Sequence, residues 1–154
     1  MASIFSSKFG RTKVYEPSSR WGHYAASVGE KWFLWGGSVP DFSASGKKKL
    51  VSTVEIFDCN VEMWEQQATL GVSPPRVYAG ASATLLDQLY SFGGFDGASF
   101  YNSFHVLNPT SLGWKELQVL NQANGPMRKA GCRRVAYSQD RLALFGGYGI
   151  PTNT

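Results

Sequence analysis

The side chains best suited to recognition chemistry in this 154-residue chain are three arginines, Arg20, Arg76 and Arg128, spaced by 56 residues (76 minus 20) and 52 (128 minus 76). A guanidinium offers two parallel N–H donors to a carboxylate, so three of them brought to one place would form a ring that favours an anionic ligand group. The same arginines can instead cap carbonyls of their own loops or pair with neighbouring acids, and both roles stay open. Ser38, Phe95, Asp96 and Tyr148 complete the set of candidate ligand-binding residues, because each follows closely on a Gly-Gly pair. Aromatic side chains on loops serve as binding anchors, although Phe95 and Tyr148 can equally pack beneath a loop as filler.

Other chemistries lack their residues. His23 and His105 are the only histidines, and both fall in runs that read as strands, where a histidine is a structural residue before it is a general base. There is no Gly-x-Ser-x-Gly elbow and no phosphate-binding glycine loop, and Gly93-Gly94-Phe95-Asp96-Gly97 is too loose to be one. Cys59 and Cys132 stand far apart without a Cys-x-x-Cys, which points to free thiols and to neither a zinc site nor a disulfide scaffold. No catalytic residue, metal or cofactor is expected.

The net charge of +4 is mild. Its densest part, Lys47-Lys48-Lys49, has no interleaved aromatic to stack on bases and reads as a solvated loop; Arg133-Arg134 reads as a strand pair with one exposed member. A nucleic-acid partner is not expected. The opening Met1 to Lys8 lacks the apolar stretch of a signal peptide, and no apolar run approaches the roughly 18 residues of a membrane span. The expectation is a cytoplasmic or nuclear protein with no membrane contact.

The elements that must position the candidates follow from three runs of strand-forming residues, each ending on two glycines: Trp32 to Gly37, Leu89 to Gly94 and Leu142 to Gly147. Their first glycines are 57 residues apart (93 minus 36) and then 53 (146 minus 93). Seventeen glycines, seven prolines and 14% aromatic residues suit many short strands joined by tight turns. An all-β chain is expected.

In the first repeat, Arg20 to Val28, a Gly29-Glu30 turn and Lys31 to Gly37 make a hairpin. A polar loop over 38–49 leads to Val51 to Asp58, which alternates in the period-2 manner of a half-buried strand, and Met63 to Gln66 begins a fourth strand. The second repeat has the same syntax: Ala79 to Leu85, a turn over Leu86 to Gln88, Leu89 to Gly94, Ser103 to Asn108 and Gly113 to Leu117. Asp58 and Asn108 close the third strands, and Trp64 and Trp114 follow as core signals that would fill the space between neighbouring sheets. The third repeat reaches Gly146-Gly147 with only its first two strands, and residues 8–15 read as a lone fourth strand ahead of the first repeat. The expected divisions are 1–19, an N-terminal segment, then repeats over 20–75 and 76–127 and a truncated repeat over 128–154.

These residues resemble the kelch repeat family. The likeness lies in Arg20-x-Gly22-His23, the aromatic run into Gly36-Gly37, Val54-Glu55-Ile56-Phe57-Asp58 and the Trp64 that follows. It implies a β-propeller, here a partial one: two complete four-stranded blades, a half blade at the C-terminus and a stray strand at the N-terminus. Repeats two and three depart from the pattern, with Tyr78-Ala79-Gly80 and Ala130-Gly131-Cys132 where the first has Gly22-His23. Within the family, the first repeat and the closing Leu144 to Gly149 are most similar to substrate receptors of cullin-RING ubiquitin ligases, which hold short C-terminal peptides on one face of the propeller. The resemblance therefore implies a protein or peptide ligand and ubiquitin-ligase subunits as partners, although no segment resembles a BTB domain, a BACK domain or a cullin-box helix. Two other readings stand beside it. One is a structural partial propeller that self-associates through open blade edges; the other is a propeller domain attached to an enzyme.

The loops expected on the binding face are 38–50 and 95–102, between second and third strands, and 68–76 and 118–128, between repeats. Such loops on a rigid scaffold carry binding residues disproportionately.

Overall fold

The computed structural model describes residues 15–40, 49–50, 53–118 and 125–150, and every described element is a strand. In chain order they are β1 (Tyr24–Val28), β2 (Lys31–Trp35), β3 (Ser38–Val39), β4 (Lys49–Leu50), β5 (Val54–Asp58), β6 (Met63–Gln67), β7 (Leu70–Gly71), β8 (Ala81–Leu85), β9 (Gln88–Phe95), β10 (Phe100–Asn108), β11 (Gly113–Leu117), β12 (Arg128–Ala136) and β13 (Leu142–Ile150). Two antiparallel meanders, β1-β2-β5-β6 and β8-β9-β10-β11, are followed by the hairpin β12-β13. The fold is all-β and has the organisation of a partial kelch propeller.

The turns obey local chemistry. Asp58 accepts the N–H of Asn60 at 2.9 Å, and Asn108 accepts those of Thr110 and Ser111, both at 2.9 Å, so each closes its third strand with a side chain imitating a backbone turn. Leu86 and Asp87 both adopt positive φ, as the tight two-residue hairpin turn demands, and the strand resumes at Gln88 rather than Leu89.

The strands do not stop on the glycine pairs. β9 and β13 run through them, and after the first pair β3 continues at Ser38, pairing with β4 inside what the sequence presents as a loop. All six glycines have positive φ, from 64° at Gly36 to 111° at Gly94, which lets the ladder bend without breaking. At Gly93 space is also decisive: a Cβ there would lie 2.6 Å from the Lys129 carbonyl oxygen.

Three further expectations change. The segment 95–102 is a short turn between long strands, with Phe95 ending β9 and Phe100 opening β10. The segment 68–76 contains β7, which pairs in parallel with β11 and so carries the chain from the first sheet to the outer edge of the second. His23 lies just before β1 and not within it. Residues 8–14 of the expected lone strand, Lys47 and Lys48, and 119–124 of the second inter-repeat segment lie outside the described residues.

The core sits between sheets. Tyr24, Phe33, Trp35, Val54 and Ile56 of the first sheet pack on Leu89, Leu107 and Trp114 of the second, with Val77 between them. Trp35 meets Trp114 edge-on at 5.7 Å, so Trp114 fills the space between sheets as its sequence position implies. Trp64, its counterpart in the first sheet, instead packs on Phe57 of its own sheet at 5.2 Å. The second seam is smaller, with Ala81 and Phe92 against Cys132 and with Phe104 and Leu144 beside them.

Candidate functional site

The strand register fixes which residues of the three repeats are equivalent. Tyr24 pairs with Trp35, Ala81 with Phe92 and Arg133 with Phe145, each partner standing just before its glycine pair. Past the glycines the same register pairs Trp21 with Ser38, Tyr78 with Phe95 and Ala130 with Tyr148. Ser38, Phe95 and Tyr148 thus occupy one structural position, on the rim where the second strands leave each sheet.

Five rings join along that rim. Trp21 contacts Tyr78 (centroids 4.5 Å apart), Tyr78 meets Phe95 edge-on (5.7 Å), Phe95 stacks on Phe100 (4.6 Å), and Phe100 meets Tyr148 edge-on (5.4 Å). The row crosses all three repeats and ends in exposed rings, Trp21 at 44% and Tyr148 at 64%. Backbone bonds fix two of its positions: Trp21 and Ser38 exchange two at 3.0 Å, and Tyr78 and Phe95 exchange two at 3.0 and 2.9 Å. Across the seams, the Gly37 N–H donates to Val77 O, Ala79 N–H to Gly22 O and Gly131 N–H to Ala79 O.

Asp96 shapes the hairpin tip beside this row. Its Oδ1 accepts the N–H groups of Ser99 (2.7 Å) and Ala98 (2.8 Å), and its Oδ2 accepts the Tyr101 hydroxyl (2.8 Å). The Ser99 and Ala98 N–H groups, then the Tyr101 hydroxyl, hold its carboxyl below the ordinary carboxylate range, and in return Asp96 raises the Tyr101 phenol. Ser38 is fully buried, and its hydroxyl has no hydrogen-bond partner among the described residues.

The arginines do not share a position. Arg20 is level with Val77 and Lys129, whereas Arg76 and Arg128 stand one residue earlier in their repeats. The side chain of Arg20 is 2% exposed; it is ion-paired to buried Glu55 and donates to Gly36 O at 3.2 Å. Arg76 and Arg128 are exposed, with no hydrogen-bond or ion-pair partner among the described residues. The geometry therefore brings Phe95 and Tyr148 into one row with Asp96 at its edge, commits Arg20 to the interior, and leaves Arg76 and Arg128 exposed without a hydrogen-bond or ion-pair partner among the described residues.

Trp21, Tyr78 and Phe100 are additions to the candidates. Trp21 and Tyr78 each stand 15 residues before their first glycine (36 minus 21, 93 minus 78), a coincidence visible in the chain once the glycines are used as the ruler. Phe100 gives no such signal. Among the described residues no group of three or more His, Cys, Asp or Glu could hold a metal ion, and no helix is long and apolar enough to cross a membrane.

Comparison with known proteins agrees with the repeat. Residues 6–147 match the family model described as the KLHDC2/KLHL20/DRC7 Kelch-repeats domain. The chain is 30% identical to human kelch domain-containing protein 2 over 140 residues, which covers 86% of this chain and 34% of that protein. It is 28% identical to mouse kelch domain-containing protein 1 over 137 residues, covering 84% and 32%. A 106-residue stretch is 30% identical to the tRNA wybutosine-synthesizing protein 2/3/4 of Arabidopsis thaliana, covering 69% of this chain and 10% of that protein. The chain thus spans about a third of the two kelch domain-containing relatives and about a tenth of the plant protein.

Proposed function

The chain belongs to the kelch-repeat family, and we propose that it is a protein- or peptide-binding module whose recognition surface is the aromatic row from Trp21 to Tyr148. The observation that supports this reading is the row itself: rings from all three repeats converge on one rim, and its two end rings are left exposed. Aromatic rings give large contact area at low conformational cost, which is why they dominate interface energetics. Exposed Arg76 and Arg128 add positive charge, so a segment with apolar side chains and a carboxylate suits the rim. Asp96 keeps the hairpin tip rigid and ionised, and supplies an acceptor for a backbone N–H or a cation.

A finer reading makes this chain part of a substrate receptor for a cullin-RING ubiquitin ligase in the cytoplasm or nucleus. It rests on the likeness to the kelch domain-containing relatives, and co-purification with cullin-RING subunits tests it. The proposed activity is recognition, without a catalytic residue or cofactor of its own.

Selection of random peptides displayed against the immobilised chain tests the binding reading. Enriched peptides are expected to lose about tenfold or more in affinity when Tyr148 or Trp21 is replaced by Ala, and to weaken with added salt when their acidic group faces Arg76 or Arg128. Failure to enrich any peptide, or binding unchanged in both variants, overturns it.

A further inference from the structure

The first strands of the three repeats, β1, β8 and β12, lie side by side, and together they carry four cations and no carboxylate. The register makes Tyr24, Ala81 and Arg133 equivalent, and likewise Ala25, Ser82 and Arg134. The third repeat therefore puts two guanidinium groups where the first two have uncharged side chains. A groove of about 270 Å³ crosses these strands, and its polar walls are His23 just before β1, Ser82 of β8, and Arg133 and Arg134 of β12. A concave polar surface with charge of one sign concentrates potential in the groove.

The side chains around the groove divide into committed and uncommitted ones. Ser82 is committed, since its hydroxyl donates to Ala25 O at 2.9 Å and accepts the Ala25 N–H at 3.2 Å, clamping β8 to β1. Lys129 donates to Gly146 O at 3.3 Å. Arg133 is exposed, and neither it nor Arg134 has an ion-pair partner among the described residues. Arg134 is the more telling of the two, because its Nη1 is buried without an acceptor and its guanidinium lies over the Phe104 ring at 4.6 Å. A cation withdrawn from water is costly unless an anion stands beside it, and an anion in the groove would lie next to this uncompensated charge.

We propose that this groove binds a phosphate-type oxyanion, with Arg133 and His23 as direct donors and Arg134 as the buried positive charge behind them. A guanidinium donates in parallel to two oxygens, and an imidazole N–H adds a donor from another strand. That set suits a group with three or more acceptor oxygens better than a carboxylate with two. The groove shares no residue with the aromatic rim, so the proposal goes beyond peptide recognition there and is tested separately from it.

Nuclear magnetic resonance of the 154-residue chain tests it, because His23 lines the groove and His105, the only other histidine, is buried in β10 and does not. Sodium phosphate at fixed pH, matched against sodium chloride of equal ionic strength, is expected to shift the His23 imidazole resonance saturably and to leave that of His105 in place. A second titration with phosphoserine separates the sources of such a group. Tighter binding than inorganic phosphate assigns the groove to a phosphorylated side chain, and weaker binding assigns it to the free ion. Arg133→Gln is expected to weaken phosphate binding about tenfold or more, and Arg134→Met several-fold, with circular dichroism confirming that both keep the β fold. Arg141→Gln removes an exposed charge between β12 and β13 and is expected to change affinity less than about twofold. Absence of a saturable His23 shift overturns the proposal. So does unchanged affinity in Arg133→Gln, or an equal loss in Arg141→Gln, which would mean general attraction in place of a site.

Discussion

Tyr24 reaches across the first seam and donates its hydroxyl to the Gly93 carbonyl at 2.6 Å, tying the first strand of one repeat to the glycine pair of the next. The ring stacks on Trp35 (5.4 Å, 7° between planes), and burial pushes the phenol far above its ordinary range, so it remains a donor at any working pH. Tyr24→Phe keeps the ring but leaves the carbonyl unsatisfied in a buried place. A loss of about 1–2 kcal/mol in urea unfolding is expected, and an unchanged midpoint would mean that the bond contributes nothing to the seam.

Ala79 stands where the other repeats have Gly22 and Gly131, and it takes the same left-handed backbone, φ 57° against 63° and 69°. A residue with a Cβ is strained there. Ala79→Gly is expected to raise stability by about 0.5–1 kcal/mol in spite of the added chain entropy, while Gly22→Ala lowers it. Paired thermal melts decide the matter, and a destabilised Ala79→Gly would show that the methyl group packs better than its backbone suffers.

His105 is buried in β10, and desolvation holds its imidazole below the usual value, with Glu116 opposing the shift more weakly. The folded state therefore binds a proton less readily than the unfolded chain does. The contribution of this residue is complete above about pH 6.5 and is lost as pH falls toward the folded-state pKa, by at most about 1.4 kcal/mol per pH unit. Urea midpoints at pH 7.5 and 5.5 should fall less in His105→Gln than in the wild type; equal falls would remove His105 as the cause.

Arg134 lies over Phe104 and Phe92, 4.6 and 5.5 Å from their centroids, and its Nη1 finds no acceptor. Burial lowers its pKa to about 10. A desolvated cation with no ion-pair partner among the described residues is held at a cost that ring contacts offset only in part. Arg134→Met is expected to leave the melting temperature unchanged or raise it by a few degrees, and a drop of more than about 5 °C would show that the guanidinium is integral to the second seam.

The strand order was readable from the chain because each hairpin carries its own punctuation, such as Asp58 and Asn108 at the third-strand turns and the glycine pairs that mark the second strands. Which of the two roles each arginine takes was not legible in the chain, for a physical reason. Arg20 is one register position out of step with Arg76 and Arg128 and is level with Val77, which is fully buried. At that level the guanidinium of Arg20 pairs with buried Glu55, while Arg76 and Arg128 are exposed. Phe95 and Tyr148 could be singled out by their place after the glycines, but their company could not. Phe100 joins the row only because β9 and β10 extend past the glycines and bring it back beside Phe95, a tertiary consequence with no local signature.

Hydrogen exchange of the chain with and without an enriched peptide tests the recognition surface most directly. Slowed exchange is expected at the amides of Trp21, Tyr78, Phe95 to Tyr101 and Tyr148, in all three repeats at once. Protection confined to β6 and β11, with the rim unchanged, would contradict the proposal that this aromatic row is where the chain binds.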